Sequence, residues 1–452
     1  MKLSTKHALV AAFALALASP VTVFATNGYF MIGWGAKASG MGGAGVAYPQ
    51  DGMAAAYNPA GMTEVGEARL DATLELFRPP RAAVHQSDVI PADVRSKDDL
   101  FPIPAIGAVL SSPETPFAMG MAIVGAGAGT NYDQSRGTLF DPNTSTEAYS
   151  RAGVFFMQMQ MLPSLAYRLN ENQSVGFSLA IAMQTFRSFG LEAFGDLGFS
   201  GDGTKLTNNG YDWSFGWGYR LGWFGKFFDQ RLNLGVNYAP RVSMQKFNRY
   251  TGLFAEHGEF DIPENYTIGM AFKFTPKLNM AFDIQRIMYN DVRSIGNKGP
   301  NPHVPGDFNP NGICGVSPSN PTGDDNIDPA CNLGGDLGMG FGWENQTTYK
   351  LGFDYKYRKD LTLRAGYNYG KTPIQNDQVL FNMLAPAAVE KHVTLGATWT
   401  LKNKDELTVG FMHAFKNTIK GPTVFPPLGS TGDNAAITMS QTSLSIAYGL
   451  KF

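Results

Sequence analysis

Thr442-Ser-Leu-Ser-Ile-Ala-Tyr-Gly-Leu-Lys-Phe452 alternates large apolar residues with small or polar ones up to the last residue of the chain. Leu444, Ile446, Tyr448, Leu450 and Phe452 fall on one face of a strand. Ser443, Ser445, Ala447, Gly449 and Lys451 fall on the other, because successive strand side chains point to opposite sides. A strand that stays apolar on one face through its terminal residue suits the closing wall of a barrel whose outside meets lipid. A half-buried strand on a soluble core would show the same alternation, so the rest of the chain has to separate the two.

Working back from that stretch, the same period recurs in pairs joined by tight polar turns. Tyr266, Ile268, Met270, Phe272 and Phe274 alternate with small or polar residues, Thr275-Pro-Lys277 turns the chain, and Leu278, Met280, Phe282 and Ile284 continue the pattern. Tyr349 to Tyr357 and Leu361 to Tyr369 form a second pair, Val393 to Leu401 and Leu407 to Phe411 a third. The pattern predicts fourteen strands, over 67–78, 102–112, 117–129, 152–169, 173–190, 211–224, 231–247, 262–274, 278–290, 344–357, 361–371, 389–401, 406–418 and 437–452. Short turns alternate with long connections such as 291–342, the arrangement of an outer-membrane barrel with loops on one rim. An even count lets the sheet close, which removes edges a bilayer would leave unsatisfied.

The N-terminus points to the same compartment. Lys2, Lys6 and His7 precede the apolar run Ala8 to Leu17, and Val23-Phe24-Ala25 supplies small or apolar residues at a cleavage site. Residues 1–25 read as a secretory signal peptide cut near Ala25/Thr26, the run being too short for a membrane anchor. Beyond it no run of about 18 apolar residues exists to cross a bilayer as a helix. Charged residues make up only 16% of the chain and aromatics 12%, with 52 glycines, which suits an apolar band with aromatic girdles. A formal charge of −2 at pH 7 excludes a basic nucleic-acid footprint.

Residues 26–66 do not fit a barrel wall. They lack alternation and carry few charges, and Met31, Ile32, Trp34, Met41, Val46, Met53 and Met62 are too apolar for a solvated linker. The segment is expected to pack inside the lumen as a plug, leaving 67–452 for the barrel. Gly40, Gly42 and Gly45 match G-x-G-x-x-G, but the match falls shortly after the expected cleavage site with no strand pattern leading in, as a dinucleotide site would need.

Asn27-Gly-Tyr-Phe30, Gly40-Met-Gly-Gly-Ala-Gly-Val-Ala47, Asp51 and Asn58-Pro-Ala-Gly-Met62 resemble the N-terminal hatch of the FadL family. These are outer-membrane transporters of long-chain fatty acids, with relatives that take up toluene and similar hydrocarbons. Leu162-Pro-Ser-Leu-Ala-Tyr167, Ile262-Pro-Glu-Asn-Tyr-Thr-Ile-Gly269, Leu363-Arg-Ala-Gly-Tyr367 and His392-Val-Thr-Leu-Gly396 extend the resemblance along the chain. It implies a fourteen-stranded antiparallel barrel with a hatch in its lumen, and passive uptake with sideways exit through a gap made by an inward kink in the third strand. That strand here ends in Gly125-Ala-Gly-Ala-Gly129, and Gly125, Gly127 and Gly129 would weaken pairing where the kink is needed. The hatch triplet falls on Asn58, Pro59 and Ala60, and Tyr29 and Phe30 are the aromatics expected near the ligand.

Strand parity turns Arg364, Lys350, Asp354, Lys273 and Asp283 into the lumen, and Arg364 is the cation best placed to meet a carboxylate. Cys314 and Cys331 lie in one long connection of an exported chain, where a loop disulfide is expected; a metal site would need more ligands. No cofactor is expected. Nucleophile and phosphate-binding motifs are missing, since Gly366-Tyr-Asn-Tyr-Gly-Lys-Thr372 is one residue short of a P-loop and lies in a strand. An outer-membrane phospholipase is the enzymatic rival, and a general porin the third class. The reading is a monomeric, non-enzymatic importer of fatty acids first and aromatic hydrocarbons second. Its other partners are outer-membrane lipid, lipopolysaccharide and the barrel assembly machinery, which would recognise the terminal Phe452.

Overall fold

The computed structural model describes residues 27–66, 68–85, 92–133, 151–196, 199–299, 329–421 and 435–452. The signal peptide and its cleavage site, Cys314, His303 and Asp324, Asp325 and Asp328 lie outside the described residues. Fourteen antiparallel strands close into a barrel. They are β1 (Arg69–Arg78), β2 (Phe101–Ser111), β3 (Phe117–Gly129), β4 (Arg151–Asn170), β5 (Gln173–Phe189), β6 (Asp212–Phe227), β7 (Leu232–Ala239), β8 (Asn265–Thr275), β9 (Leu278–Ile287), β10 (Gln346–Arg358), β11 (Leu361–Gly370), β12 (Lys391–Thr400), β13 (Glu406–Gly421) and β14 (Ala435–Lys451). Each pairs with its sequence neighbour, and β14 returns to β1 in register from Arg69↔Lys451 to Arg78↔Thr442. Thr442 to Lys451 thus lies in the strand that closes the barrel.

Two departures from the alternation reading have local causes. The strand expected over 231–247 stops at Ala239, because Pro240 has no N–H to give to the ladder. Beyond it the chain touches neighbours only through isolated bridges, Val242↔Ile262 and Gly216↔Met244. Three short strands, Arg81–His85, Ala92–Arg95 and Tyr132–Asp133, extend the sheet within connections read as loops.

Side chains on the outer face form the lipid band. Leu444 sits between Leu76 of β1 and Phe411 of β13, and Phe177, Leu179 and Ile181 of β5 lie opposite Leu221, Tyr219 and Trp217 of β6. These residues are exposed, Trp217 to 74%, a pattern no water-facing sheet would keep around its whole girth. Connections 112–116, 171–172, 228–231, 276–277, 359–360 and 401–405 are short turns on one rim, while the connections on the other rim are long.

Residues 27–66 touch strands on every side of the closed sheet, a contact pattern that only a segment in the interior can make. The wall admits them at a belt of inward glycines that pair across strands: Gly176↔Gly222, Gly235↔Gly269, Gly352↔Gly366 and Gly396↔Gly410. A Cβ at Gly107 would stand 2.4 Å from Gly52 O, at Gly176 2.3 Å from Ala60 N, at Gly235 2.4 Å from Val46 O, and at Gly366 2.2 Å from Gly42 N. Side chains at these points would push backbone against backbone, so the belt sets how closely the segment can seat.

Candidate functional site

The N-terminal segment begins among the long connections with a tight turn. Asn27 N–H donates to Phe30 O at 2.8 Å and Phe30 N–H donates to Asn27 O at 3.1 Å. Gly28 takes φ +66° there, and a Cβ on it would fall 2.3 Å from the Tyr289 hydroxyl. Only glycine fits, and its turn projects Tyr29 and Phe30 into an aromatic cluster. The Tyr29 ring meets Phe156 edge-on at 5.6 Å and packs at 5.7 Å from Tyr289, whose hydroxyl donates to Asn27 O at 2.5 Å.

Tyr29 forms one wall of a small apolar cavity. The other walls are Ala128 of β3, Val154 and Phe156 of β4, Phe186 of β5, and residues of three long connections: Phe254 and Phe260, Ile295, Phe341 and Trp343, and Ala385. A second small cavity shares Ala128, Trp343 and Ala385 with the first and is bordered by Gly28, Gly127 and Gly129. Among the described residues no Lys, Arg or His lines either one.

The second cavity lies where the wall is incomplete. β3 pairs with β4 along its whole length, from Phe117↔Tyr167 to Gly129↔Phe155. Its pairing with β2 runs only from Ala118↔Ser111 to Ile123↔Ile106. Beyond Ile106, β2 pairs only with β1, as far as Phe101↔Phe77. The half of the β2–β3 seam nearest the long connections therefore lacks a ladder, over the stretch that carries Gly125, Gly127 and Gly129. The Trp34 indole N–H, from the N-terminal segment, donates to the Gly125 carbonyl at 3.4 Å.

Asn58, Pro59 and Ala60 stand at the other end of the segment. Asn58 is buried at the start of a short 3-10 turn, Pro59–Glu64, with Pro at its first position, where its missing N–H costs nothing. Its side-chain oxygen accepts from Ala60 N–H at 3.1 Å, and its amide donates to Val46 O at 3.0 Å and to Trp223 O of β6 at 2.9 Å. One side chain thus caps a turn, clamps the segment on itself and ties it to the wall.

Arg364 is buried on the inner wall, where Nε donates to Gln50 Oε1 at 3.1 Å and Nη1 to Thr398 Oγ1 at 2.6 Å. It holds the segment and does not line the apolar cavity. Other inward polar residues act alike: Lys350 Nζ donates to Ile32 O at 2.9 Å, Asp283 accepts from Gly45 N–H and Val46 N–H at 2.8 and 3.1 Å, and Asp354 accepts from the Tyr48 hydroxyl at 2.8 Å. Lys273, at the end of β8, is exposed. Near the short-turn rim Glu406 gathers Lys37 at 2.5 Å, Arg69 at 3.0 Å and Lys451 at 3.0 Å. Cys331 is buried and disulfide-bonded. Sequence reasoning singled out Tyr29 but none of the loop residues around it, whose only mark was an apolar side chain in a long connection.

A closed sheet with an apolar outside, long connections on one rim and its own N-terminal segment inside defines the class: a transmembrane β-barrel of the outer-membrane type with an occupied lumen. Residues 10–423 match the model of the outer membrane protein transport protein family (OMPP1/FadL/TodX), and the chain belongs to that family of transporters of hydrophobic compounds. Its fold is similar to that of the Pseudomonas putida toluene transporter TodX, with a TM-score of 0.65 and 18% identity over 93% of this chain and 99% of that one. The Ralstonia pickettii toluene transporter TbuX gives 0.59 and 17% over 93% and 98%, and a Pseudomonas aeruginosa FadL homologue 0.60 and 15% over 96% and 99%. A search of curated proteins by sequence gives no match.

Proposed function

We propose that the protein carries uncharged hydrophobic molecules, aromatic hydrocarbons among them, from the cell exterior into the outer-membrane bilayer. They would enter the apolar cavity at Tyr29, pass Ala128 into the second cavity, and leave between β2 and β3. The single observation that carries this is the shared wall: Ala128, Trp343 and Ala385 border both cavities, and the second is edged by Gly127 and Gly129 at the unpaired seam. Sideways exit keeps a greasy solute out of water, worth about 0.8 kcal/mol per CH₂, and needs no energy source.

Neutral compounds suit the lining better on this reading than ionised fatty acids, because a carboxylate in these cavities would lose its hydration with no cationic side chain among the described lining residues to meet it. On this reading residues 26–66 act as the hatch after cleavage near Ala25/Thr26. The mature chain is assembled by the barrel machinery as a non-enzymatic monomer amid lipid and lipopolysaccharide. Uptake of labelled toluene and labelled oleate, in cells lacking their own transporter, tests it. Toluene is expected to enter faster than in cells with an empty vector; entry of neither compound refutes the proposal.

A further inference from the structure

On the outer wall, at the long-connection ends of β9 to β13, four cations stand without a counter-charge. Arg286 of β9 lies opposite Tyr266 on the outward face, and its guanidinium donates to Thr347 Oγ1 at 2.7 Å. Lys371 follows the last residue of β11, Lys391 opens β12 opposite Tyr369, and Lys416 lies on β13; all three are exposed. The register of β13 shifts between Ala414 and Asn417, a bulge that leaves both Phe415 and Lys416 exposed. None of the four makes an ion pair among the described residues. Five other cations of this rim are paired within the protein: Arg78 with Asp99, Lys97 with Asp133, Arg241 with Asp261, Arg293 with Glu256 and Lys298 with Asp377. Glu390, beside Lys391, turns its carboxylate to Thr372 N–H at 3.1 Å, and Glu344 stands before β10, so the row keeps a positive excess. We propose that this face is a docking surface for a glycolipid of the outer leaflet that carries more than one phosphate, the chemistry of lipid A. The proposal rests on the outer-membrane placement above and is independent of the solute carried.

Three physical points carry it. Phosphate is the headgroup group that Lys and Arg meet with strong charge-assisted hydrogen bonds, and cations at a bilayer surface attract anionic lipid. Directly towards the membrane from the cations the same face is apolar: Tyr349, Tyr367, Val393, Leu395 and Phe411 are exposed. The His413 ring meets Phe415 edge-on at 5.2 Å, at the level where an aromatic girdle is expected. Cations above and apolar side chains below match a lipid with its headgroup up and its chains along the wall. A soluble anion would use the cations and leave the apolar part of the face without a role. Neighbouring strands stand about 4.8 Å apart, so β9 to β13 cover about 19 Å of wall. That width seats several acyl chains and more than one phosphate, whereas a lipid with one phosphate would meet only part of the row.

The test titrates the purified full-length protein in detergent with bisphosphorylated lipid A and with phosphatidylglycerol, and reads bound lipid by native mass spectrometry. One variant carries Arg286→Gln, Lys371→Gln, Lys391→Gln and Lys416→Gln. A control variant loses as many charges from the short-turn rim, where Lys277, Lys356, Lys359 and Lys402 are exposed, by the same change to Gln. Each cation at an anionic headgroup is worth about a factor of five, so lipid A affinity should fall on the order of a hundredfold or more in the first variant. In the control it should fall less than about threefold, the charges there standing beyond a Debye length from the headgroup. Equal weakening in the two variants overturns the proposal, as does a wild type that binds phosphatidylglycerol as tightly as lipid A or binds neither. Each of those results leaves the transport reading standing, since toluene uptake tests that separately. Should the first variant not fold, a photoreactive lipid A on the wild type decides: label concentrated on peptides holding residues 286, 371, 391 or 416 supports the surface, and label spread evenly around the barrel overturns it.

Discussion

Replacing Asn58 separates its three jobs. In Asn58→Ala the cap to Ala60 N–H is lost, together with the links to Val46 O and Trp223 O. Each hydrogen bond contributes about 1 kcal/mol net, so the loss amounts to about 3 kcal/mol for the seating of residues 27–66. The closed ladder of the barrel is untouched by the change. Local opening of the segment should therefore become roughly a hundredfold more frequent, since every 1.36 kcal/mol is a factor of ten. Amide hydrogen exchange over residues 42–62 measures this, while a heat-modifiable band on a gel checks that the barrel persists. Asn58→Asp sharpens the experiment. It keeps an acceptor for Ala60 N–H but turns a carboxylate oxygen towards two carbonyls that need a donor, in a buried place. If capping were the whole role, aspartate would restore protection; if the tie to β6 dominates, it should be at least as damaging as alanine. Unchanged exchange in Asn58→Ala would refute the assignment altogether.

Other perturbations probe the route, the loops and the wall. Ala128→Phe fills the junction of the two cavities, and an overpacking barrier of about 1–3 kcal/mol should cut solute uptake roughly ten- to a hundredfold; uptake equal to wild type removes Ala128 from the path. In the connection after β7, burial, a hydrogen bond that the protonated carboxyl donates to Glu256 and the nearby charges of Asp261 and Glu256 push the Glu259 carboxyl up to about 7, against the pull of Arg241. The folded loop then holds a proton that the unfolded chain releases near pH 4.5, so stability falls as pH rises from there to about 7 and is flat above. Exchange at residues 255–262, corrected for intrinsic rates, should be faster at pH 8 than at pH 5.5, and Glu259→Gln should abolish the difference; a difference that persists in that variant assigns it elsewhere. Leu444→Arg places a charge on the lipid face between Leu76 and Phe411 and should cost about 2–4 kcal/mol in denaturant unfolding from liposomes. A cost no greater than that of Leu444→Ala would mean that this face does not meet the hydrocarbon core.

The wall was legible because lipid imposes a rule on every strand. An exposed side chain must be apolar while its neighbour in sequence turns inward, so a period of two survives in all fourteen strands and is read directly. It failed where a backbone property overrode the pattern. Val242 and Met244 continue the alternation of β7, yet Pro240 had already ended the ladder. The short strands Arg81–His85 and Ala92–Arg95 follow no lipid rule, since they lie beyond the band in a long connection, and they left no period to find.

The interior obeys a different logic, and most of it was invisible. Gly107, Gly176, Gly222, Gly235, Gly352 and Gly366 look in sequence like scattered small residues on strands. They become a seat only when six strands bring them to one level against residues 41–60. Arg364 shows how parity and role come apart: parity placed it inside, and there its Nε and Nη1 donate to Gln50 and Thr398, groups the sequence could not pair with it. A cation in a lumen filled by protein is far more often needed to satisfy that protein's own carbonyls and amides than a solute, because each such group left unpaired costs more than a surface contact gains.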